Sequence, residues 1–336
     1  MHGHTVTVWK RQKGLYDCRK VGIMGKYCIG IDVGGTTVKI GLFTDQGELK
    51  DKWEIATRKD EGGSYILSDI AASLEEKLTT ENIDKTNVIG IGIGIPGPIT
   101  SDGTVLKCVN LGWGIFNVAE EVKKLVGIEN VKVGNDANVA ALGEMWQGGG
   151  KGYRNMVMIT LGTGVGGGII IDGDILTGSK GAAGEIGHIS VNFTEEDTCN
   201  CGKRGCLEQF ASATGIVKEA KRMLLVSDKP SKLRELQYLS AKTIFDAAKE
   251  GDELANDLVD QLAKYLGIAA SHIAAVIDPE AFVIGGGVSK AGRILTNRIQ
   301  ENYEKNVMFA LRNKEFKLAE LGNDAGIYGC AKMVLK

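Results

Sequence analysis

Within residues 181–208, GAAGEIGHISVNFTEEDTCNCGKRGCLE, metal-binding groups crowd together with two isolated carboxylates. Cys199, Cys201 and Cys206 offer three soft thiolates, and His188 stands a short loop upstream as a nitrogen donor. Three sulfurs and one imidazole are the donor set of a closed structural zinc site. Gly202 and Gly205 let the backbone turn tightly enough for the sulfurs to face one ion. A disulfide is the competing reading, against which Cys-x-Cys is too cramped for an easy bridge. Glu185 precedes His188 by three residues, so the two share a face if GEIGH is helical, and Glu208 follows Cys206 by two. Neither glutamate is needed to complete a tetrahedron. Each is either a surface charge beside a structural metal or an acceptor for a polyhydroxylated ligand.

A second kind of chemistry is written in glycine and threonine. Residues 26–43, KYCIGIDVGGTTVKIGLF, read as strand, tight turn, strand, with Gly34, Gly35, Thr36 and Thr37 in the turn. Backbone N–H groups exposed by such a turn, with two hydroxyls beside them, cradle phosphate oxygens, although an ordinary β-hairpin has the same pattern. Asp32, at the strand end, could hold the hydrated Mg2+ that such phosphates carry. The plan recurs in residues 156–171, MVMITLGTGVGGGIII. The G-x-G-x-x-G string there runs into a strand, so a dinucleotide-binding reading fails its context, and no Walker loop is present. Two cradles at corresponding places predict one architecture used twice, gripping a nucleotide between lobes. In VKVGNDANVAALGEMW a short strand delivers Asn135 and Asp136 to a helix start. Asp136 is there either an N-cap or a general base, with Asn135 as a hydrogen-bonding partner of the same ligand. The run Gly285-Gly286-Gly287 after the strand AFVI permits a flat ring such as adenine to lie against the backbone.

The elements around these residues alternate. Three strands lead into a crossover helix over 64–81, a buried strand NVIGIGIGI, a loop over 100–114, a helix over 117–126 and the strand before Asn135. Mixed sheets with helices on their faces follow. After the cysteines the chain is mostly helical, and His272, among alanines and isoleucines, reads as a packed core histidine. We expect a leader over 1–25 to be disordered, a small lobe over 26–134, and a large lobe over 135–323 holding the zinc segment 188–206. A C-terminal helix at about 324–336 should return to the small lobe.

With 336 residues the chain can bury a substantial core and divide into about two domains. A formal net charge of −2 with scattered basic residues gives no footprint for nucleic acid. No apolar run is long enough to span a bilayer and no signal peptide is visible, so no membrane partner is expected and the cytoplasm is the default compartment. Seven cysteines, mostly dispersed, agree with reduced thiols there.

Taken together, the two cradles, NDAN, GAAGEIGH, CNCGKRGCLE and VIGGGVS resemble the ROK family of sugar kinases, repressors and related reading frames, within the actin-like ATPase (ribonuclease H-like) fold. The resemblance runs from about Lys26 to the C-terminus, and NLGW, LGTGVGGGII and ASATGIV look most like bacterial glucokinases of Gram-positive type. It implies an α/β protein of two lobes, a mixed sheet in each and a cleft between. It further implies transfer of the γ-phosphoryl group of Mg·ATP to the 6-hydroxyl of glucose, with Asp136 as catalytic base. Sugar-binding positions would be Gly97, Asn110, Asn135, Asp136, Glu185, His188 and Glu208. Nucleotide positions would be Asp32, Gly34, Gly35, Thr36, Thr37, Lys39, Thr163, Gly164, Val165, Gly166, Gly285, Gly286 and Gly287. His188, Cys199, Cys201 and Cys206 would hold zinc, Asp32 would serve Mg·ATP, and the family habit is a homodimer or higher homo-oligomer. The rival within the family is a sugar-sensing repressor, which needs a helix-turn-helix that residues 1–25 do not show. Fructose, mannose and N-acetylhexosamines are the competing sugars and polyphosphate a competing donor, since the residue types do not give the pocket's shape.

Overall fold

The computed structural model of the chain describes residues 26–335. The expected leader, 1–25, lies outside them. The strands are β1 (Tyr27–Val33), β2 (Thr37–Thr44), β3 (Leu49–Ala56), β4 (Val88–Ile95), β5 (Thr104–Val105), β6 (Phe116–Asn117), β7 (Val131–Asn135), β8 (Met156–Leu161), β9 (Val165–Ile171), β10 (Asp174–Ile175), β11 (Ala281–Gly285) and β12 (Glu315–Leu318). The helices are α1 (Asp60–Gly63, a distorted turn), α2 (Ile66–Thr80), α3 (Val118–Val126), α4 (Asp136–Gln147), α5 (Glu208–Ala211), α6 (Ala213–Val226), α7 (Ala241–Lys249), α8 (Glu253–Ile277), α9 (Arg293–Asn306) and α10 (Ala325–Val334).

One sheet has the order β3-β2-β1-β4-β7 and another β10-β9-β8-β11-β12. In each, three strands run antiparallel and two more add in parallel, so one topology is used twice. The apolar runs of β1, β4, β8 and β11 are buried because helices cover them. Ile31, Ile40, Leu74 and Ile93 belong to one core, and Ile159, Leu258, Phe282 and Tyr303 to another.

α4 and α10 cross between the sheets at very short range. A Cβ on Gly329 would stand 1.6 Å from the Val139 carbonyl, and one on Gly143 would stand 2.1 Å from that of Ala325. α10 also lies on the first sheet, where a Cβ on Gly30 or Gly92 would strike the Ile327 or Cys330 carbonyl at 1.9 and 1.8 Å. The glycines alternating in VIGIGIGI therefore serve close backbone packing as well as strand formation. One expectation fails here: His272 is exposed on α8. It shares that stripe with Val276, 82% exposed, so apolar neighbours misreport the buried face.

Candidate active site

A cleft of about 1170 Å³ opens between the two sheets. From the first sheet, its loops and the start of α4 it is lined by Asp32, Gly34, Gly35, Lys39, Gly97, Asn110, Asn135 and Asp136. From the other side it is lined by Gly164, Val165, Gly166, Glu185, Glu208, Gly286 and Gly287. Thr36, Thr37, Thr163, Gly285 and His188 do not line it. The Thr37 carbonyl closes the first turn by accepting from Gly34 N–H at 3.0 Å, and Gly285 is the buried last residue of β11.

The junction of β7 and α4 places Asp136. Asn135 caps the helix, its Oδ1 accepting from the N–H groups of Ala137 and Asn138 at 3.0 and 3.2 Å, so the N-cap reading of Asp136 is corrected by one residue. Asn135 Nδ2 donates to the Gly97 carbonyl at 3.1 Å and to Asp136 Oδ1 at 2.9 Å. With both hydrogens and its oxygen engaged, Asn135 reaches a ligand only by exchanging one of these bonds. Ala137 N–H also donates to Asp136 Oδ1, at 2.8 Å, so both bonds fall on one carboxylate oxygen. Burial holds the Asp136 carboxyl above the usual range, those bonds oppose the rise, and the Glu185 charge adds to it. Burial likewise pushes Asp32 up to about 6, helped by the Asp136 charge and opposed by Lys39. Two carboxyls raised in this way are a site that a cation would relieve.

Several cleft residues escaped sequence reading. Asn138, 4% exposed, has Oδ1 as the buried side-chain polar atom without a partner among the described residues; its place three residues after Asn135, at the cleft-facing helix start, was the available signal. Ser289, Lys290, Glu320 and Asn323 line the far end, and Lys39 Nζ donates to the Asn323 carbonyl at 3.1 Å. The loop at 320–321 is fixed from α4: Glu144, fully buried, accepts N–H bonds from Gly149, Glu320 and Leu321 at 2.9, 3.0 and 2.9 Å.

The cysteine segment forms a knuckle beside the cleft. Thr198 pairs with Arg204 and Ser190 with Cys206, while Gly202 and Gly205 take φ of 87° and 73°. His188 and the three cysteines present ligand atoms within 4.8 Å of one another. Cys201 and Cys206 Sγ are 3.6 Å apart, and Cys199 Sγ is 3.8 Å from His188 Nδ1. A tetrahedral zinc with Zn–S of about 2.3 Å needs sulfur–sulfur edges of about 3.8 Å, so the donor set fits. All three cysteines are free, which removes the disulfide reading. Arg222 of α6 anchors the preceding loop, bonding Glu195 at 2.9 and 3.0 Å and Asp197 at 2.5 Å. His188 ends a 3-10 turn in which residues three apart eclipse, so its Nε2 stands 3.9 Å from Glu185 Oε2 as their spacing predicts. Glu208 is less free than expected, because its Oε2 accepts from Val165 N–H at 3.0 Å.

Paired sheets of equal topology, each offering a glycine turn to a common cleft, define a two-lobed α/β protein of the actin-like ATPase fold. Within that class the chain belongs to the ROK family, whose sequence profile matches residues 28–336. It is 47% identical to the glucokinase of Halalkalibacterium halodurans over 90% of this chain and 93% of that one. The ROK family glucokinase of Streptomyces griseus, solved in complex with glucose and AMPPNP, is 33% identical, with a TM-score of 0.68 over 91% of this chain and 98% of that one. The xylose repressor of Caldicellulosiruptor bescii is 30% identical over 91% of this chain and 77% of its own length. Among the described residues no helix is long and apolar enough to cross a membrane.

Proposed function

We propose that this chain is an ATP-dependent glucokinase, transferring the γ-phosphoryl group of Mg·ATP to the 6-hydroxyl of glucose. The observation that carries the reading is Asp136: a raised carboxylate at a rigid strand-to-helix junction, in a cleft shared by both glycine turns and by Glu185. The glucokinase relatives support it.

Gly34, Gly35, Gly164, Val165 and Gly166 present backbone to the phosphates, Lys39 places its charge beside them, and Gly286 and Gly287 leave a flat surface for adenine. Thr36, Thr37, Thr163 and Gly285 shape these turns from behind. Asn110, Glu185 and Glu208 accept hydrogen bonds from sugar hydroxyls, Gly97 and Asn135 fix the floor, and His188, outside the cleft lining, acts through Glu185. As the sugar oxygen bonds to the γ-phosphorus and the bond to the β–γ bridging oxygen breaks, Asp136 takes the hydroxyl proton. Asp32 would hold Mg2+, which would supply charge neutralisation at the phosphates. His188, Cys199, Cys201 and Cys206 would hold zinc in a structural role.

The proposed division is a small lobe over 26–134, joined by α10, and a large lobe over 135–323. Closure of these lobes over glucose would exclude water, the competing acceptor. A reaction that uses ATP beside reduced thiols belongs in the cytoplasm. The proposal includes a homodimer, which light scattering would test. A coupled ADP-release assay over glucose, fructose, mannose and N-acetylhexosamines, with and without Mg2+, tests the central reading. Fastest release with glucose and Mg·ATP is expected; no release with any sugar would overturn it.

A further inference from the structure

The second glycine turn is strapped from outside its own sheet. Its internal closure is one bond, Gly162 N–H to the Gly164 carbonyl at 3.0 Å. Val165 N–H donates to Glu208 Oε2 at 3.0 Å, Ala213 N–H to the Gly162 carbonyl at 2.8 Å, and Thr214 Oγ1 to the Thr163 carbonyl at 2.7 Å. All three partners lie in the stretch that starts two residues after Cys206. That stretch is tied back to the knuckle. Gln209 accepts from Cys206 N–H at 3.0 Å and donates to the Asp197 carbonyl at 2.9 Å. Ser212 Oγ donates to the Glu208 carbonyl at 2.7 Å and accepts from Gly215 N–H at 2.9 Å.

We propose that Glu208 and Thr214 are positioning residues for the nucleotide, through which the metal knuckle sets affinity for the phosphates as well as for the sugar. The inference rests on the kinase reading above. A glycine turn with one internal bond loses conformational freedom when it closes on phosphate, and external bonds that hold it in shape beforehand remove that cost from binding. Charge does not explain Glu208, since a carboxylate beside a phosphate site repels the ligand; its acceptor role toward Val165 N–H does. Gly164 keeps room for that carboxylate, which would stand 2.2 Å from a Cβ at that position.

Calorimetric titration with Mg·AMPPNP in the absence of sugar, and separately with glucose, tests this on the metal-loaded full chain and on Thr214→Val and Thr214→Ser. Thr214→Val, which removes the Oγ1 contacts to the Thr163 carbonyl and to Ser212 Oγ, should bind the nucleotide about tenfold more weakly with glucose affinity unchanged. Thr214→Ser should restore it. Stripping the metal from the wild type with a chelator should weaken Mg·AMPPNP by at least as much. Equal nucleotide affinity in Thr214→Val and wild type would overturn the inference, as would parallel loss of both ligands with a lowered Tm and no rescue by serine. Should Thr214→Val fail to fold, Thr214→Ala, which removes the same donor to the Thr163 carbonyl, supplies the same contrast. Wild-type protein that binds no Mg·AMPPNP would overturn the kinase reading itself, and this inference with it.

Discussion

The two glycine turns look alike locally and are supported differently. The first, between β1 and β2, is closed by its own Gly34 and Thr37 and braced by the adjacent strand's end: Thr57 Oγ1 donates to the Gly34 carbonyl at 2.8 Å and Thr57 N–H to that of Thr36 at 2.9 Å. The second, between β8 and β9, depends on partners up to 51 residues away, beyond the cysteines. A motif repeated within one chain can therefore keep its shape by independent means. The first turn is held within its own sheet, and the second is held by residues that follow the knuckle.

The largest expected effect tests whether both turns serve one reaction. Asp136→Asn should lower kcat by about 10² to 10⁴-fold while sugar binding persists; unchanged turnover would separate the turns from this carboxylate. Next, Cys206→Ser or chelation should split the molecule's response. Amide exchange is expected to speed up by about tenfold or more in 161–165 and 185–215, and to stay as it was in 33–57. Equal acceleration in both turns would erase the distinction. A smaller effect compares like with like. A Cβ on Gly34 meets the Thr37 carbonyl at 2.8 Å, whereas one on Gly164 meets a side chain that can move. Gly34→Ala should cost about 1–3 kcal/mol by thermal unfolding and Gly164→Ala less, with its damage appearing in nucleotide affinity.

The smallest effect concerns Asp32, beside the first turn. Its carboxyl is raised to about 6 in the folded protein, above its unfolded value, so the fold binds this proton more tightly than the unfolded chain does. The cost of the ionised form is thus present above about pH 6 and relieved as pH falls through the window down to the unfolded value near 4. Asp32→Asn should raise Tm by about 2–4 °C at pH 8, without Mg2+ or nucleotide, and lose that advantage near pH 4. A gain of equal size at both pH values would refute the assignment.

Sequence legibility followed the range of each interaction. The knuckle was readable because Cys199, Cys201 and Cys206 act across a few residues, and both turns were readable because a hairpin is local. Asn135 and Asp136 are both good caps in sequence; the structure gives the cap to Asn135, which also bonds Gly97, 38 residues upstream. The bond from Val165 to Glu208 spans 43 residues, and no periodicity encodes it. Thr214 went unnoticed for the same reason. Gly92 of β4 reads as a strand residue, while its close partner, α10, lies at the other end of the chain.

The helix that begins at Asp136 carries Glu144 two turns further on, and that buried glutamate holds the loop at 320–321. Eight residues of α-helix span about 12 Å, so a single rigid rod acts as a gauge between Asp136, the proposed proton acceptor, and the far wall of the cleft. A donor whose reactive end must meet a fixed acceptor is thereby measured for length before any chemistry begins.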